Sequence, residues 1–463
     1  MKKLYTLIII AACTGCSKDF INLVPISDQS IEAFYKTETD IAQAVIGTYD
    51  GLQGLYSGNF AYFMEVPSDN SYNSNTTGNG GANADFDNFT LASSNFILND
   101  TWNGCYRDIQ RCNIILNRID AVTMNDGIKE NRKGEVKFIR ALLYFNMVRI
   151  WGDVPLIVDE IDDPFEAFVH QRDPVDKVYT QIITDLEDAI AALPVKWSGA
   201  NDIGRATKGS ARTLLGKVYL TRKDFVKANA ELANIISSGT YKLVPDFAKV
   251  FGVENENNIE SIFEIQYKSD AFGEGGGDGG LFSSGDGNNW PSANMLKLFV
   301  NNSDKRFDAS VDTTFNSPKF AKQKAVRGAD GSFGSNVVVL RYADVLLMAA
   351  EALNEIGYNN GNAFNYLNQV RQRAGASVYD QSTLPDQKSF RTAIELERRL
   401  ELTFENHRWF DLLRTGRALE VMSTAVGGSA FVLDIKPHHL LFPIPLEQVD
   451  ASAGKIIQNQ GYK

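Results

Sequence analysis

The sequence predicts a mainly α-helical protein, α+β only through a few short strands, whose helical scaffold is interrupted by long loops. Apolar side chains recur at helical spacing over long segments, as in residues 38–57, where Ile41, Val45 and Leu52 share one face. Two long loops rich in Asn or Gly then break the helical pattern. With 463 residues, of which 44% are hydrophobic, the chain can bury a large core.

The helices and strands follow from local patterns along the chain. Helices are predicted over residues 38–57, 100–120, 131–151 and 174–193. The third of these ends where Gly152 and Pro155 stop a helix. Short β-strands are predicted over 261–267 and 336–343, the first because apolar and polar residues alternate.

Two later segments have the pattern of helical hairpins of the tetratricopeptide type. Residues 211–239 place Leu215, Gly216, Tyr219 and Ala228 at positions that match such a repeat, in which small residues let two helices approach closely. Residues 342–375 follow the same design more loosely, with the small residues Ala349, Ala350 and Ala352. The segments predict a tetratricopeptide-like scaffold. Unrelated antiparallel helix pairs are the alternative.

The N-terminus predicts export. Residues 1–16, MKKLYTLIIIAACTGC, have two lysines, an apolar stretch and then small residues that end at a cysteine. The apolar stretch is too short to span a bilayer as a helix. We interpret residues 1–15 as a lipoprotein signal peptide and Cys16 as the lipidated first residue of the mature chain, with Cys13 as the alternative. Residues 16–463 are predicted to form a single composite domain, with inserted loops at about 58–100 and 268–335.

Composition argues against several functions. The net charge of −11 and the isoelectric point near 5.1 argue against nucleic-acid binding, which needs clustered Lys and Arg. Cys105 and Cys112 lie on one predicted helix, roughly 10 Å apart along its axis, too far for a disulfide. Four histidines without an H-E-x-x-H motif give a metalloenzyme no support. No cofactor is expected, although the Asp- and Asn-rich loops leave a structural calcium ion open.

Three short motifs imitate catalytic signatures. Residues 275–280, GGGDGG, satisfy G-x-G-x-x-G, but no helix follows at once to hold a phosphate. His407 and Asp411 are four residues apart on one helix face, yet that helix is rich in aromatic residues, which favours structural hydrogen bonding. His438 and His439 are expected to point apart in an extended segment, which makes shared metal ligation a poor interpretation.

Eight blocks of the sequence together carry a family resemblance. They are CSKDF, TWNGCYRDIQRCNIIL, FIRALLYFNMVRIWGDVPLI, GRATKGSARTLLGKVYL, LRYADVLLMAAEALNEIG, LNQVRQRAG, ELERRLELTFENHRWFDLLR and LLFPIPLEQVDASAGKIIQNQGY. They run nearly from end to end of the chain, from the predicted lipidation site to the C-terminus. One block alone would be weak, but eight in the same order are a specific match. The chain resembles the SusD/RagB family of outer-membrane nutrient-binding lipoproteins of the Bacteroidetes.

The resemblance implies a fold and a function. Tetratricopeptide-type helices would form one side and irregular loops the other. The protein would be a lipid-anchored, surface-exposed component of the outer membrane that captures oligosaccharides without cleaving them. It would deliver them to a SusC-like TonB-dependent transporter, which it caps. A minority branch of the family handles peptides, so the resemblance alone does not fix the ligand.

The two long loops supply the side chains that a glycan would need. Pyranose rings stack on aromatic side chains, and their hydroxyl groups hydrogen-bond to amides and carboxylates. The candidate ligand-binding residues are Asp69, Tyr72, Asn73 and Phe86 in the first loop and Asp286, Asn288, Asn289 and Trp290 in the second. Trp290 follows a glycine-rich run and is the least core-like tryptophan. The alternative is that its side chain packs against the start of the helix that follows it.

Three further functions remain as alternatives to glycan capture. One is a peptide-binding uptake lipoprotein of the same family. Another is a secreted glycan-cleaving enzyme, which would need two carboxylates about 5–9 Å apart, and no segment nominates such a pair. The last is a scaffold whose sole ligand is the transporter.

Overall fold

The structure, a computed structural model, describes residues 34–73, 76–163, 166, 169–276, 289–302, 304–311, 328–359, 361–424 and 435–463. Its helices in the first half are α1 (Glu38–Gly54), α2 (Ala61–Met64), α3 (Asp85–Asn88), α4 (Phe96–Arg118), α5 (Asp126–Trp151), α6 (Val175–Ala192), α7 (Lys208–Thr221) and α8 (Phe225–Ser238). Those in the second half are α9 (Ala293–Asn302), α10 (Phe307–Ser310), α11 (Tyr342–Ile356), α12 (Ala363–Arg373), α13 (Gln387–Glu401), α14 (Arg408–Thr415), α15 (Ala418–Thr424) and α16 (Leu446–Ala451). The strands are β1 (Ser71–Tyr72), β2 (Ser261–Ile265), β3 (Trp290–Pro291) and β4 (Val337–Arg341).

The predicted elements are present, with small shifts at their ends. The four helices predicted in the first half correspond to α1, α4, α5 and α6, and the two predicted strands to β2 and β4. β2 and β4 pair in an antiparallel sheet that lies against the helices. The mainly α class with short strands is therefore confirmed. Cys16 lies outside the described residues, so its lipidation stays a prediction.

Polar side chains determine where the long helices begin. Thr37 caps α1: its hydroxyl accepts the backbone N–H of Asp40, while the Asp40 carboxylate accepts the backbone N–H of Thr37 at 2.8 Å. Thr207 and Ser210 form the same reciprocal arrangement at the start of α7. Each of these capping boxes satisfies two backbone donors that a helix cannot satisfy itself, which fixes the first turn.

The two predicted helical hairpins are α7–α8 and α11–α12. At the first, a Cβ added to Gly216 would lie 2.9 Å from the side chain of Leu232, so a larger residue there would force α7 and α8 apart. In the second, α11 packs against α8, α12 and α13. The small residues predicted at its contacts, Ala349, Ala350 and Ala352, are fully buried. Small side chains at the contacts thus give the close helix approach that the repeat pattern predicts.

The tryptophans predicted to be core residues are buried. Trp102, Trp151 and Trp409 lie in the main hydrophobic cluster with at most 2% of their surface exposed. Trp197 is half-buried, and its indole N–H donates to the carbonyl oxygen of Ala206 at 2.8 Å, so it packs over the start of α7. Within the described ranges, no helix has the length and apolar character needed to cross a bilayer.

A buried network of ion pairs joins β4 to α13. The Arg306 guanidinium donates to Glu401 at 2.8 Å, and the Arg341 guanidinium donates to the same carboxylate at 2.6 Å. Arg341 also pairs with Glu260, and Arg306 with Glu397, each at 2.8 Å. All five side chains are at most 1% exposed. The network therefore holds three parts of the chain in a fixed arrangement: the end of β4, the segment that precedes α10, and helix α13.

Candidate functional site

The two loops predicted to bind a ligand meet in a two-residue antiparallel ladder, β1–β3. Tyr72 pairs with Trp290, and Ser71 with Pro291. Ser292 secures the join, because its backbone N–H donates to the carbonyl oxygen of Asn70 at 2.8 Å and its hydroxyl donates to that of Asp69 at 2.7 Å. Two loops that are distant in the sequence therefore form one local structure.

Tyr72 and Trp290 form an aromatic pair at this ladder. Their ring centroids are 6.0 Å apart and the ring planes are perpendicular, an edge-to-face contact that fixes both rings. Both side chains are half-buried, and neither belongs to the main hydrophobic core. The indole N–H of Trp290 is buried without a hydrogen-bond partner among the described residues. The pair has the form of an aromatic platform with a donor at its edge.

Asn289 lies directly beside this pair and is 1% exposed. In the described part of the chain, neither its amide nitrogen nor its amide oxygen has a hydrogen-bond partner. Such a buried amide is costly, because each unpaired group has lost its water without a replacement. Asn289 therefore offers one donor and one acceptor next to the platform.

Asp69 corrects one sequence prediction. It is 5% exposed, and its carboxylate takes a bidentate hydrogen bond from Arg408, at 2.7 and 3.0 Å, and an ion pair from Arg399 at 3.0 Å. Burial alone would raise its pKa, but the two guanidinium groups overcome burial and hold the pKa below its ordinary value. Asp69 thus anchors the first loop to α13 and α14, and its oxygens are already occupied.

Phe86 corrects a second prediction. Its side chain is 1% exposed. It packs in the core against Phe63, with ring centroids 5.0 Å apart, and against Tyr62 and Phe442 at 5.4 and 6.0 Å. A ring enclosed in this way has no face left for a sugar. The Asn-rich sequence around Phe86 suggested a surface position, but α3 turns this side chain inward.

Asn73 and Asp87 link the site to helix α3. Asn73, predicted as a ligand contact, is 7% exposed, and its backbone N–H donates to the Asp87 carboxylate at 2.9 Å. Burial raises the pKa of Asp87 to about 7. Asp87 was not predicted as a site residue. The sequence marks it only as a carboxylate next to the aromatic Phe86 in DFDN. Asp87 holds the residue that follows Tyr72 in place.

Two candidate residues, Asp286 and Asn288, lie outside the described residues. Their roles therefore stay predictions. Of the eight candidates, the structure brings Tyr72, Asn289 and Trp290 together, places Asn73 next to them through its backbone, and assigns Asp69 and Phe86 to structural roles.

The motif of His407 and Asp411 has a structural explanation, whereas residues 277–280 of the GGGDGG motif lie outside the described residues. His407 is 9% exposed and its Nδ1 lies 3.0 Å from the Lys217 ammonium. Burial and that cation lower the pKa of His407 to about 3. Asp411 accepts hydrogen bonds from Arg398 and Arg414, so structural hydrogen bonding is confirmed for both residues.

The prediction for the adjacent histidines was wrong. The rings of His438 and His439 have centroids 4.0 Å apart, because residues Pro437–Leu440 form a 3₁₀ turn and not an extended segment. The His439 Nδ1 accepts the backbone N–H of Lys436 at 3.0 Å, which engages one ring nitrogen inside the turn. Across the described ranges, no three His, Cys, Asp or Glu side chains are grouped so that they could hold a metal ion.

A large cavity is lined by neither Tyr72 nor Trp290. It has a volume of about 800 Å³ and lies between α11, α13 and α14. Arginines paired with carboxylates line it, such as Arg391 with Glu355 and Arg414 with Glu351. The carboxylate oxygens of these pairs already accept from guanidinium groups. We therefore place the candidate site at the β1–β3 ladder, where an aromatic pair lies beside unpaired polar atoms.

The fold and this site define a class of protein: a scaffold of helical hairpins that carries an aromatic pair on two joined loops. Two family models match the chain, one described as SusD family over residues 309–462 and one described as starch-binding associating with outer membrane over residues 19–220. The SusD-like protein P25 of Formosa agariphila is 30% identical, across 98% of this chain and 98% of the relative. The chain belongs to the SusD/RagB family.

Solved structures have the same fold. A laminarin binding SusD-like protein superimposes with a TM-score of 0.79 and 27% identity, and the match covers 92% of this chain and 100% of that chain. Surface glycan-binding protein A from Bacteroides thetaiotaomicron, in complex with laminarihexaose, gives a TM-score of 0.75 and 24% identity over 92% of this chain and all of its own. The helical scaffold of this chain is therefore that of the family.

Proposed function

We propose that this protein is a non-enzymatic glycan-binding lipoprotein of the outer membrane that captures an oligosaccharide at the β1–β3 ladder. The observation that carries the proposal is the fixed pair of Tyr72 and Trp290 with the unsatisfied amide of Asn289 beside it. Relatives named for laminarin binding and solved with laminarihexaose support a glycan as the ligand class.

The proposed mechanism is equilibrium capture. A pyranose ring stacks on the exposed part of the Trp290 or Tyr72 ring, which buries the apolar face of the sugar. The Asn289 amide and the Trp290 indole N–H then form hydrogen bonds with hydroxyl groups of the sugar. Water competes poorly for these protein groups because they are buried. Because the edge-to-face contact already fixes both rings, little conformational entropy is lost on binding.

Delivery to the cell requires a partner and an anchor. We propose that a lipid on Cys16 holds the protein at the outer membrane and that a SusC-like TonB-dependent transporter receives the glycan. The family description, which places members in association with the outer membrane, supports this part of the proposal. It is separable from glycan binding, because the soluble body can be tested without the lipid.

Calorimetry with Trp290→Ala tests the glycan site. The soluble protein is titrated with laminarihexaose, maltohexaose and an unrelated hexapeptide. We expect wild type to bind one of the oligosaccharides and Trp290→Ala to bind it about tenfold more weakly, because a stacking contact is lost. The thermal midpoint of the variant should stay nearly unchanged, since Trp290 lies outside the main core.

Trp197→Phe is the matched control, because Trp197 is a half-buried tryptophan on another part of the surface. It should bind the oligosaccharide as wild type does. If the protein binds the hexapeptide and neither oligosaccharide, the peptide-binding alternative replaces the glycan-binding proposal. Release of reducing sugar by the wild-type protein would overturn the non-enzymatic part of the proposal.

A further inference from the structure

A small cavity with both apolar and polar lining lies between α5, α7 and β4. Its volume is about 30 Å³, enough for one small ion or a water molecule or two. Apolar side chains of β4 form part of its wall. The polar side chains that line it are Tyr56, Asn146, Arg149, Lys217, Glu405, Asn406 and His407.

Arg149 contributes an unmatched positive charge to this cavity. Its guanidinium lies between the rings of Phe145 and Phe410, at 3.7 and 3.9 Å from their centroids. It donates to the Phe145 carbonyl oxygen and to the Asn146 amide, but no ion pair joins it to a described carboxylate. Burial lowers its pKa to about 10, so it stays charged at neutral pH. A cation held away from bulk water without a counter-charge is unfavourable.

The other charged groups of the lining are already matched. The Lys217 ammonium pairs with Asp344 at 2.9 Å. Glu405 also lines the cavity, but its carboxylate takes a bidentate hydrogen bond from Arg341 at 2.5 and 3.0 Å. The low pKa of His407, about 3, keeps that ring neutral. The charge left over in the lining is therefore the positive charge of Arg149.

Hydrogen-bond donors are also left over. The Tyr56 hydroxyl accepts from the Asn146 amide at 3.0 Å, which leaves its own proton available, and burial raises its pKa to about 12, so it keeps that proton. Lys217 uses one N–H on Asp344 and one on Nδ1 of His407, which leaves a third N–H. One acceptor of the lining, the Asn406 amide oxygen, is also without a hydrogen-bond partner in the described part of the chain. The positive charge of Arg149, which no described carboxylate pairs with, and the spare donors together favour an anion.

We propose that this cavity binds a monovalent inorganic anion, with chloride as its occupant in ordinary salt solutions. The anion lies against the Arg149 guanidinium and accepts hydrogen bonds from the Tyr56 hydroxyl and from a Lys217 N–H. A water molecule would use the donors but would leave the Arg149 charge unmatched. The anion stabilises the junction between α5, α7 and the segment that precedes α14.

The test compares two sodium salts at constant ionic strength. Chloride fits the cavity and gluconate does not, so the thermal midpoint of the wild-type protein should rise by about 2 °C as sodium chloride replaces sodium gluconate. Arg149→Met should abolish this rise. Tyr56→Phe, which keeps the ring and the charge, should reduce it. Crystals grown in sodium bromide should show an anomalous peak in the cavity beside Arg149.

Arg222→Met is the matched control, since the Arg222 guanidinium also lies over an aromatic ring, that of Tyr179, but outside this cavity. It should keep the chloride response. If Arg149→Met does not fold, Tyr56→Phe and the bromide crystal still decide the question. Equal midpoints in the two salts, or density in the cavity without an anomalous signal, would show a water molecule there and overturn the proposal.

Discussion

At the scale of single residues, the site is defined by groups that the fold leaves unsatisfied. Asn289 is buried with both amide atoms unpaired, and Trp290 has an unpaired indole N–H beside it, in the described part of the chain. Folding gains nothing from these polar atoms, since burying them costs free energy. Their position next to the half-buried aromatic pair is the reason why we propose a ligand-binding role for them.

Replacing Asn289 separates function from stability. We expect Asn289→Ala to weaken oligosaccharide binding by about tenfold, the loss of one or two hydrogen bonds. The free energy of unfolding should stay the same or rise, because the substitution removes an unsatisfied amide. Calorimetry and urea unfolding measure the two quantities. A loss of stability of more than about 1 kcal/mol would show that the amide has a structural partner.

Asp87 makes stability depend on pH. Its ordinary pKa is 3.8, and the folded state raises it to about 7 through burial. Between these pH values the folded state holds a proton that the unfolded state has lost. The free energy of unfolding should therefore fall as pH rises from about 4 to 7, and the Asp87 contribution should be constant above that range. Urea unfolding at several pH values measures this slope.

Asp87→Asn is the control for this dependence. The amide keeps the size of the side chain and cannot titrate, so the variant should lose this part of the slope. A variant with the same slope as wild type would show that other groups cause it. A Tyr72 fluorescence change in the same pH range would link the Asp87 proton to the aromatic pair, because Asp87 contacts the neighbouring Asn73.

At the scale of elements, the periodic segments could be predicted and the loop contacts could not. Helical spacing located α1, α4, α5 and α6 because it reflects burial of one face, which is local in sequence. The fate of Asp69 depends on Arg408, which is 339 residues away in sequence. Phe86 likewise meets Phe442 only after folding. From composition alone, both Phe86 and Trp290 are predicted to contact the ligand. Their tertiary contacts show that Phe86 is a core residue and that Trp290 is not.

The join between β4 and α13 depends on one carboxylate. Glu401 accepts hydrogen bonds from Arg306, Arg341 and Arg373. Glu401→Gln should lower the free energy of unfolding by about 3–5 kcal/mol, because buried guanidinium groups lose their counter-charge. Urea unfolding monitored by circular dichroism measures the change. Helical content at low denaturant should remain, since α13 keeps its other contacts.

An exposed ion pair provides the comparison for Glu401. Glu420 pairs with Arg417 at 2.9 Å near the surface, so Glu420→Gln should cost at most about 1 kcal/mol. Similar effects of the two substitutions would mean that the Glu401 network is hydrated and not buried.

At the scale of the whole molecule, the scaffold and the anchor have separate tasks. Helices α13 and α14 hold the first of the two joined loops in position through Asp69, and the N-terminal segment is predicted to attach the protein to the membrane. Cys16→Ala should therefore abolish incorporation of labelled palmitate and release the protein from the membrane fraction, with glycan affinity of the released protein unchanged. Labelling that survives Cys16→Ala but not Cys13→Ala would move the lipidation site to Cys13.

The two-residue ladder has a consequence for how the ligand preference of this protein can be changed. Tyr72 and Trp290 can only face each other if Ser71 stays opposite Pro291 and Ser292 stays bonded to the Asp69 and Asn70 carbonyl oxygens. Inserting or deleting a residue at the base of either loop would shift this register and move both rings. To give this protein the sugar preference of a relative, both loops of the relative should therefore have to be transferred together. A chimera that receives only one of the two loops should bind neither its own sugar nor that of the relative.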